Sequence, residues 1–141
     1  MNRHLSSLLA LAALVLFSCS TPEEPYQDER EMAYDHSFDL MWEQIQLALR
    51  KQYTIETLDE ATRTITTDWN VHLAPFAESG YRTRLVVNLD GDIGAWKVKV
   101  REDTEINTEQ VNPLSAEDAE WEKSESEGGT AGRFLVSLHR Q

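Results

Sequence analysis

The sequence predicts a single α+β domain in which an antiparallel meander sheet of four to five strands packs on one long helix, with a short helix at the C-terminal end. Three observations carry this expectation. Apolar residues recur every three or four positions between Phe38 and Leu49, which is one face of a helix. Apolar and polar residues alternate with a period of two in four segments between Tyr53 and Arg101, which is the pattern of half-buried strands. The length of 141 residues suits one domain, since two would each approach the lower size limit.

Met32-Ala33-Tyr34 reads as a short strand. Ser37 or Asp35 then offers a side-chain oxygen to the first N–H groups of a helix over about 37 to 51. Phe38, Met41, Trp42, Ile45, Ala48 and Leu49 form its apolar face. Asp39 and Glu43 lie toward its start and Arg50 and Lys51 at its end, as the helix dipole favours. Tyr53, Ile55 and Thr57 alternate with Thr54 and Glu56, and Asp59 to Arg63 forms a polar turn. Ile65, Thr67 and Trp69 belong to the inner face of the next strand, and Asn70 to Gly80, with Pro75 and Phe76, is a longer loop. Tyr81, Thr83, Leu85, Val87 and Leu89 alternate with Arg82, Arg84, Val86 and Asn88, and Asp90-Gly91-Asp92 opens a turn. Trp96, Val98 and Val100 then alternate with Lys97, Lys99 and Arg101. One sheet face is therefore β-branched and aromatic, and the other is threonine and charge. Ser115 to Trp121 has the composition of a helix start, yet six acids between Glu117 and Glu127 face one Lys, so 117–129 is expected to be an acidic flexible segment. Gly128 and Gly129 break it, and Thr130 caps a last helix with Ala131, Phe134, Leu135 and Leu138 as its stripe. A strand from Arg133 to His139 is the alternative.

The folded domain is expected over 32–141. What precedes it is an address and a tether. Eleven of the thirteen residues from Leu5 to Phe17 are apolar, and Arg3 stands before them. At about 1.5 Å per residue this run spans roughly 20 Å, short of the roughly 30 Å core of a bilayer, and it fits a secretory signal peptide over 1–18. Residues 19–31 read as a disordered acidic tether, because Ser20 to Glu31 holds five acids, Pro22, Pro25 and only Tyr26 as an apolar residue. Without residues 1–18 the chain has 141 − 18 = 123 residues and a charge of 12 − 25 = −13.

Leu16-Phe17-Ser18-Cys19 resembles the lipobox of bacterial lipoproteins. That resemblance implies cleavage before Cys19, lipidation of its sulfur and acylation of the new amino terminus. Ser20, where an aspartate is associated with inner-membrane retention, implies the outer membrane, with the domain facing the periplasm. A second resemblance rests on Tyr34, Phe38-Asp39, Trp42, Ala48-Leu49, Tyr53 and Ile55, then Asp59 and Ile65-x-Thr67-x-Trp69. This pattern is similar to the helix-grip domains of the BamC lipoprotein family and covers about 32 to 101. It implies a scaffold or interaction role in the cell envelope, with no catalytic residues to carry over.

The search for chemistry narrows the possibilities. A net charge of −12 lacks the basic footprint that nucleic-acid binding requires. Cys19 is unique, so there is no internal disulfide framework or Cys-rich zinc site. Asn88-x-Asp90-x-Asp92 fails as an EF-hand loop in both registers, because neither the glycine nor the closing glutamate is in place. His36, His72 and His139 lie far apart in sequence with no ligand partner at helical or strand spacing. No Gly-x-Ser-x-Gly elbow is present, and Gly128-Gly129-Thr130-Ala131-Gly132 lacks the lysine of a phosphate-binding loop. No cofactor or metal is expected. Arg82, Arg84, Lys97, Lys99 and Arg101 share the outer sheet face and are a candidate surface for an anionic partner; local pairing with Glu56, Asp68 and Asp103 is the other reading. With Leu89 opposite Trp96, Arg84 would face Arg101. The expected function is a membrane-anchored, non-enzymatic interaction or assembly module with envelope proteins as partners. The alternative is a small-ligand or lipid carrier with a pocket between helix and sheet and a lid carrying Phe76.

Overall fold

The strand that begins at Trp96 continues to Gln110, past the end of the expected alternation at Arg101, and it organises the sheet. The computed structural model describes residues 25–26, 28–74, 79–110, 115–126 and 129–140. In chain order its elements are β1 (Asp28–Met32), α1 (Phe38–Arg50), β2 (Ile55–Asp59), β3 (Thr64–Thr67), β4 (Asn70–His72), β5 (Tyr81–Asp90), β6 (Trp96–Gln110), β7 (Ala119–Ser124) and α2 (Gly129–His139). The strands form one antiparallel sheet in the order β1-β6-β5-β3-β2. Past the end of β3, β4 takes its place beside β5, and past the end of β1, β7 takes its place beside β6.

This corrects the expected architecture of four to five strands on one long helix. The sheet has seven strands, and the two helices are of similar length, 13 and 11 residues. The helix-grip expectation falls with it. β1 lies where the sequence reads as tether, β4 where it reads as loop, and β7 in the segment expected to be flexible. Each is short or acidic and stands at a sheet edge, where one side of the backbone has no partner strand and charge guards against further pairing. Cross-strand complementarity compensates: Glu29 and Glu31 of β1 stand opposite Lys99 and Lys97 of β6. The signal segment, Cys19 and Phe76 lie outside the described residues.

The faces follow the expected alternation. Ile65, Leu85, Val87, Leu89, Trp96, Val98 and Val100 point inward and are buried against Met41, Trp42, Ile45, Ala48 and Leu49 of α1 and Ala131, Phe134, Leu135 and Leu138 of α2. Burying each large apolar side chain contributes about 1.5–3 kcal/mol. Ser37 is the N-cap of α1, accepting the Leu40 N–H at 3.3 Å. Trp96, 1% exposed, donates its indole N–H to the His36 carbonyl at 3.1 Å and so fixes the entry to α1 on the sheet.

Two details differ from expectation. Leu89 pairs with Val98 and Asp90 with Lys97, so the β5–β6 turn is centred one residue later than the expected pairing of Leu89 with Trp96 would place it. Gly91 and Gly94, at φ of 94° and 84°, make that turn possible. Facing parity is unchanged, but Arg84 now stands opposite Asp103 rather than Arg101. The second difference is a bulge. Thr66 pairs with Val86 and Asn70 with Thr83, so five residues of one strand span four of the other. The extra residue reverses the alternation. Thr67 stays buried and its hydroxyl accepts the Leu85 N–H at 2.9 Å, while Trp69 turns to the outer face.

Candidate functional site

The inner face of the sheet changes character where the helices stop covering it. Along β5, the inward positions before Leu85 are Tyr81 and Thr83; along β6, those after Val100 are Glu102, Thr104 and Ile106. Beside them β4 contributes Asn70 and His72. The first turns of α2 close one side with Thr130 and Arg133, leaving a cleft of about 720 Å³.

Its polar groups are held in place by the fold. Glu102 is 6% exposed and accepts the Thr130 N–H at 2.9 Å, so a carboxylate from the sheet satisfies the start of α2. This corrects the expectation that Thr130 is the cap: Thr130 lies inside the helix, and its hydroxyl accepts from Arg133 at 3.0 Å. His72 and Tyr81 are cross-strand partners whose rings stack 4.7 Å apart at 21°. Thr83 and Thr104 face each other across β5 and β6. Nearby, burial raises the Tyr53 phenol above its ordinary value of 10.0, and the Glu102 carboxylate adds to the effect while Arg133 opposes it. An aromatic pair, three threonine hydroxyls, an amide, a carboxylate and a guanidinium thus line one concavity, a set suited to holding a polar ligand by hydrogen bonds.

Ile45, Leu49, Leu85, Val87 and Val98 are fully buried between helix and sheet. The concavity that gathers these polar groups lies beyond the helices. Sequence reasoning names His72 and Tyr81 separately, and only the β4 pairing brings them together. No periodic signal marks that pairing, since β4 has three exposed residues.

On the opposite face the five candidate cations do share one surface, and each meets a carboxylate. Arg82 donates to Glu105 at 2.7 Å, Arg84 to Asp103 at 3.0 Å and Arg101 to Asp103 at 2.8 Å. Lys97 lies 3.3 Å from Glu29 and Lys99 3.1 Å from Asp90. Aromatic rings complete the layer. The Arg82 guanidinium sits between Trp69 and Trp121, 4.4 and 4.8 Å from their centroids, and Arg84 lies 4.6 Å from Trp69. Trp69, expected in the core, is a member of this outer layer. Two further histidines, far apart in sequence, also converge: His36 stacks on Tyr34 at 5.5 Å, and the Tyr34 hydroxyl is 3.4 Å from His139 Nδ1. Among the described residues no group of three His, Cys, Asp or Glu side chains is placed to hold a metal, and no helix is long and apolar enough to cross a membrane.

Comparison with known proteins finds no matching protein family and no similar curated protein.

Proposed function

We propose that the chain is a lipoprotein of the bacterial cell envelope, anchored through Cys19 in the outer membrane with its domain toward the periplasm, and that it serves as an interaction or assembly module rather than an enzyme. The observation that carries this reading is Leu16-Phe17-Ser18-Cys19 at the end of the apolar run. The spacing of the domain supports it. β1 starts at Asp28, 28 − 19 = 9 residues after Cys19, a reach of roughly 30 Å for an extended chain. The anchor would thus keep the sheet close to the bilayer, and several acyl chains at about 0.8 kcal/mol per buried methylene would make attachment nearly permanent. Mass spectrometry of the N-terminal peptide tests the anchor: a lipidated Cys19 at the new terminus is expected, and an unmodified Cys19 with Met1 still attached overturns it. Crosslinking in membranes followed by co-purification tests the module, with an envelope protein as the expected product.

One observation favours a second reading, a carrier of a small polar ligand. This is the cleft formed by His72, Tyr81, Thr83, Thr104, Thr130 and Arg133. Native mass spectrometry of the purified protein would show a bound metabolite of defined mass, lost on Tyr81→Ala.

A further inference from the structure

We infer that a second groove, which shares Gly129 and Arg133 with the polar cleft and runs along α2 toward Lys51, binds a phosphate-bearing group. The groove is about 620 Å³ and its α2 side is made by Gly129, Gly132, Arg133, Val136, Ser137 and Arg140. These positions recur at spacings of three and one, so they form a single stripe along the helix. Glycine and serine keep the floor low. Arg133, whose guanidinium also donates to the Thr130 hydroxyl at 3.0 Å, and Arg140 line the groove from α2, and Lys51, the C-cap of α1, supplies a third positive charge.

The charges of this groove differ from those of the outer sheet face. The chain has 25 acids against 13 bases, and the five cations of the outer sheet face are all engaged by carboxylates. Lys51, Arg133 and Arg140, like Arg30, Arg50 and Arg63, have no carboxylate within ion-pair distance among the described residues, and these three line one groove together. Lys51 and Arg140 lie at helix ends, where a cation complements the dipole, but that effect does not require all three to line one concavity. Three converging cations, two of them guanidinium forks, match the charge and geometry of a phosphate ester better than those of a single carboxylate. The Ser137 hydroxyl adds a neutral donor on the same stripe.

The groove also lies where the N-terminal segment joins the domain. A Cβ built on Gly132 would stand 3.3 Å from the carboxylate of Asp28, the first residue of β1, so one acid borders the groove that the three cations line. Two sources of the same chemistry follow: a phospholipid headgroup at the bilayer surface, or a soluble phosphate ester. The first rests on the anchoring reading; the second does not.

The full chain carrying Cys19→Ser, which cannot be lipidated, separates these. Its amide resonances are followed by NMR during titration with inorganic phosphate and with glycerol phosphate. Saturable shifts at Gly129, Gly132 and Ser137 are expected, and the triple variant Lys51→Gln, Arg133→Gln, Arg140→Gln weakens binding by about tenfold or more with unchanged circular dichroism. Arg133→Lys keeps the charge but not the fork, and is expected to fall between the two. In parallel, flotation compares phosphatidylethanolamine–phosphatidylglycerol vesicles with phosphatidylcholine vesicles, so that apolar contacts common to both cancel. Phosphate shifts together with a preference for the anionic vesicles assign the headgroup; phosphate shifts alone assign a soluble ester. Absence of saturable shifts, or a triple variant that binds like the parent, overturns the site. So does vesicle preference without phosphate shifts, which would mean diffuse surface attraction. Loss of the anchor in the mass-spectrometric test leaves the soluble arm standing.

Discussion

Thr67 decides how the sheet bends. Its hydroxyl takes the Leu85 N–H at the bulge, a donor the strand ladder would otherwise leave buried without a partner. Thr67→Val is expected to cost about 1–3 kcal/mol, since it removes the acceptor and keeps the shape, whereas Thr67→Ser retains most of the stability. Urea unfolding of the two variants checks this, and equal midpoints would refute it. Acidity acts at two exposed turns. The Asp59 carboxyl is held below its ordinary value of 3.8 by the Thr62 and Ala61 N–H groups, and that of Asp90 by its bond to Lys99 and then by the Gly91 N–H. A carboxyl with a depressed pKa stabilises the folded state above its unfolded value, and that contribution is lost as pH falls through the folded one. Stability should therefore decline on acidification below the ordinary carboxylate range. The double variant Asp59→Asn, Asp90→Asn, which preserves acceptors but cannot titrate, should show a shallower decline in urea midpoint with pH.

The edge strands show what hydrophobic pattern cannot reach. β1 (DEREM) and β7 (AEWEKS) carry too little apolar surface to order themselves in isolation. They are ordered by backbone hydrogen bonds to β6 and by cross-strand charge pairs, Glu29–Lys99 and Glu31–Lys97 for β1 and Lys123–Glu105 for β7, neither of which is visible within the segments themselves. Hydrogen exchange offers a direct check: amides within Asp28–Met32 and Ala119–Ser124 are expected to be protected, and exchange at unfolded-chain rates in either would contradict the pairing. The helices were legible because their evidence is local. Phe38, Met41, Trp42, Ile45 and Leu49 announce α1, and Ala131, Phe134, Leu135 and Leu138 announce α2, within one stretch of chain each. In the β5–β6 turn, Gly91 and Gly94 both have positive φ, but a Cβ on Gly91 would meet the Ala95 carbonyl oxygen while one on Gly94 meets nothing. Gly94→Ala should thus cost about 1 kcal/mol and Gly91→Ala clearly more, with thermal unfolding as the measurement.

One core unites the fold. Both helices and the inner positions of β3, β5 and β6 belong to a single cluster of buried residues, so unfolding is expected to be one cooperative transition. Far-UV circular dichroism and tryptophan fluorescence should report the same urea midpoint. Fluorescence draws on the core (Trp42, Trp96) and on the outer layer (Trp69, Trp121), so an outer sheet face that melted separately would split the curves. The functional surfaces lie at the margins of this core. The polar cleft begins where helix cover ends, and the cationic groove runs along α2 beside it, sharing Gly129 and Arg133 with the cleft.

By itself the sequence determined most of the buried core, where α1 lies and which face of β3, β5 and the first half of β6 points inward, because amphipathic period is written along contiguous residues and burial of apolar surface dominates folding. It also carried the signal-like segment and Cys19, a linear motif that needs no fold to be read. Tertiary structure alone decided the edge strands, the bulge that turns Trp69 outward, the register that sets Arg84 against Asp103, and the meeting of His72 with Tyr81 and of Lys51 with Arg133 and Arg140. These depend on pairings between segments distant in sequence, where a one-residue bulge or a two-residue shift of partner changes which side chains meet while leaving each segment's own pattern almost intact.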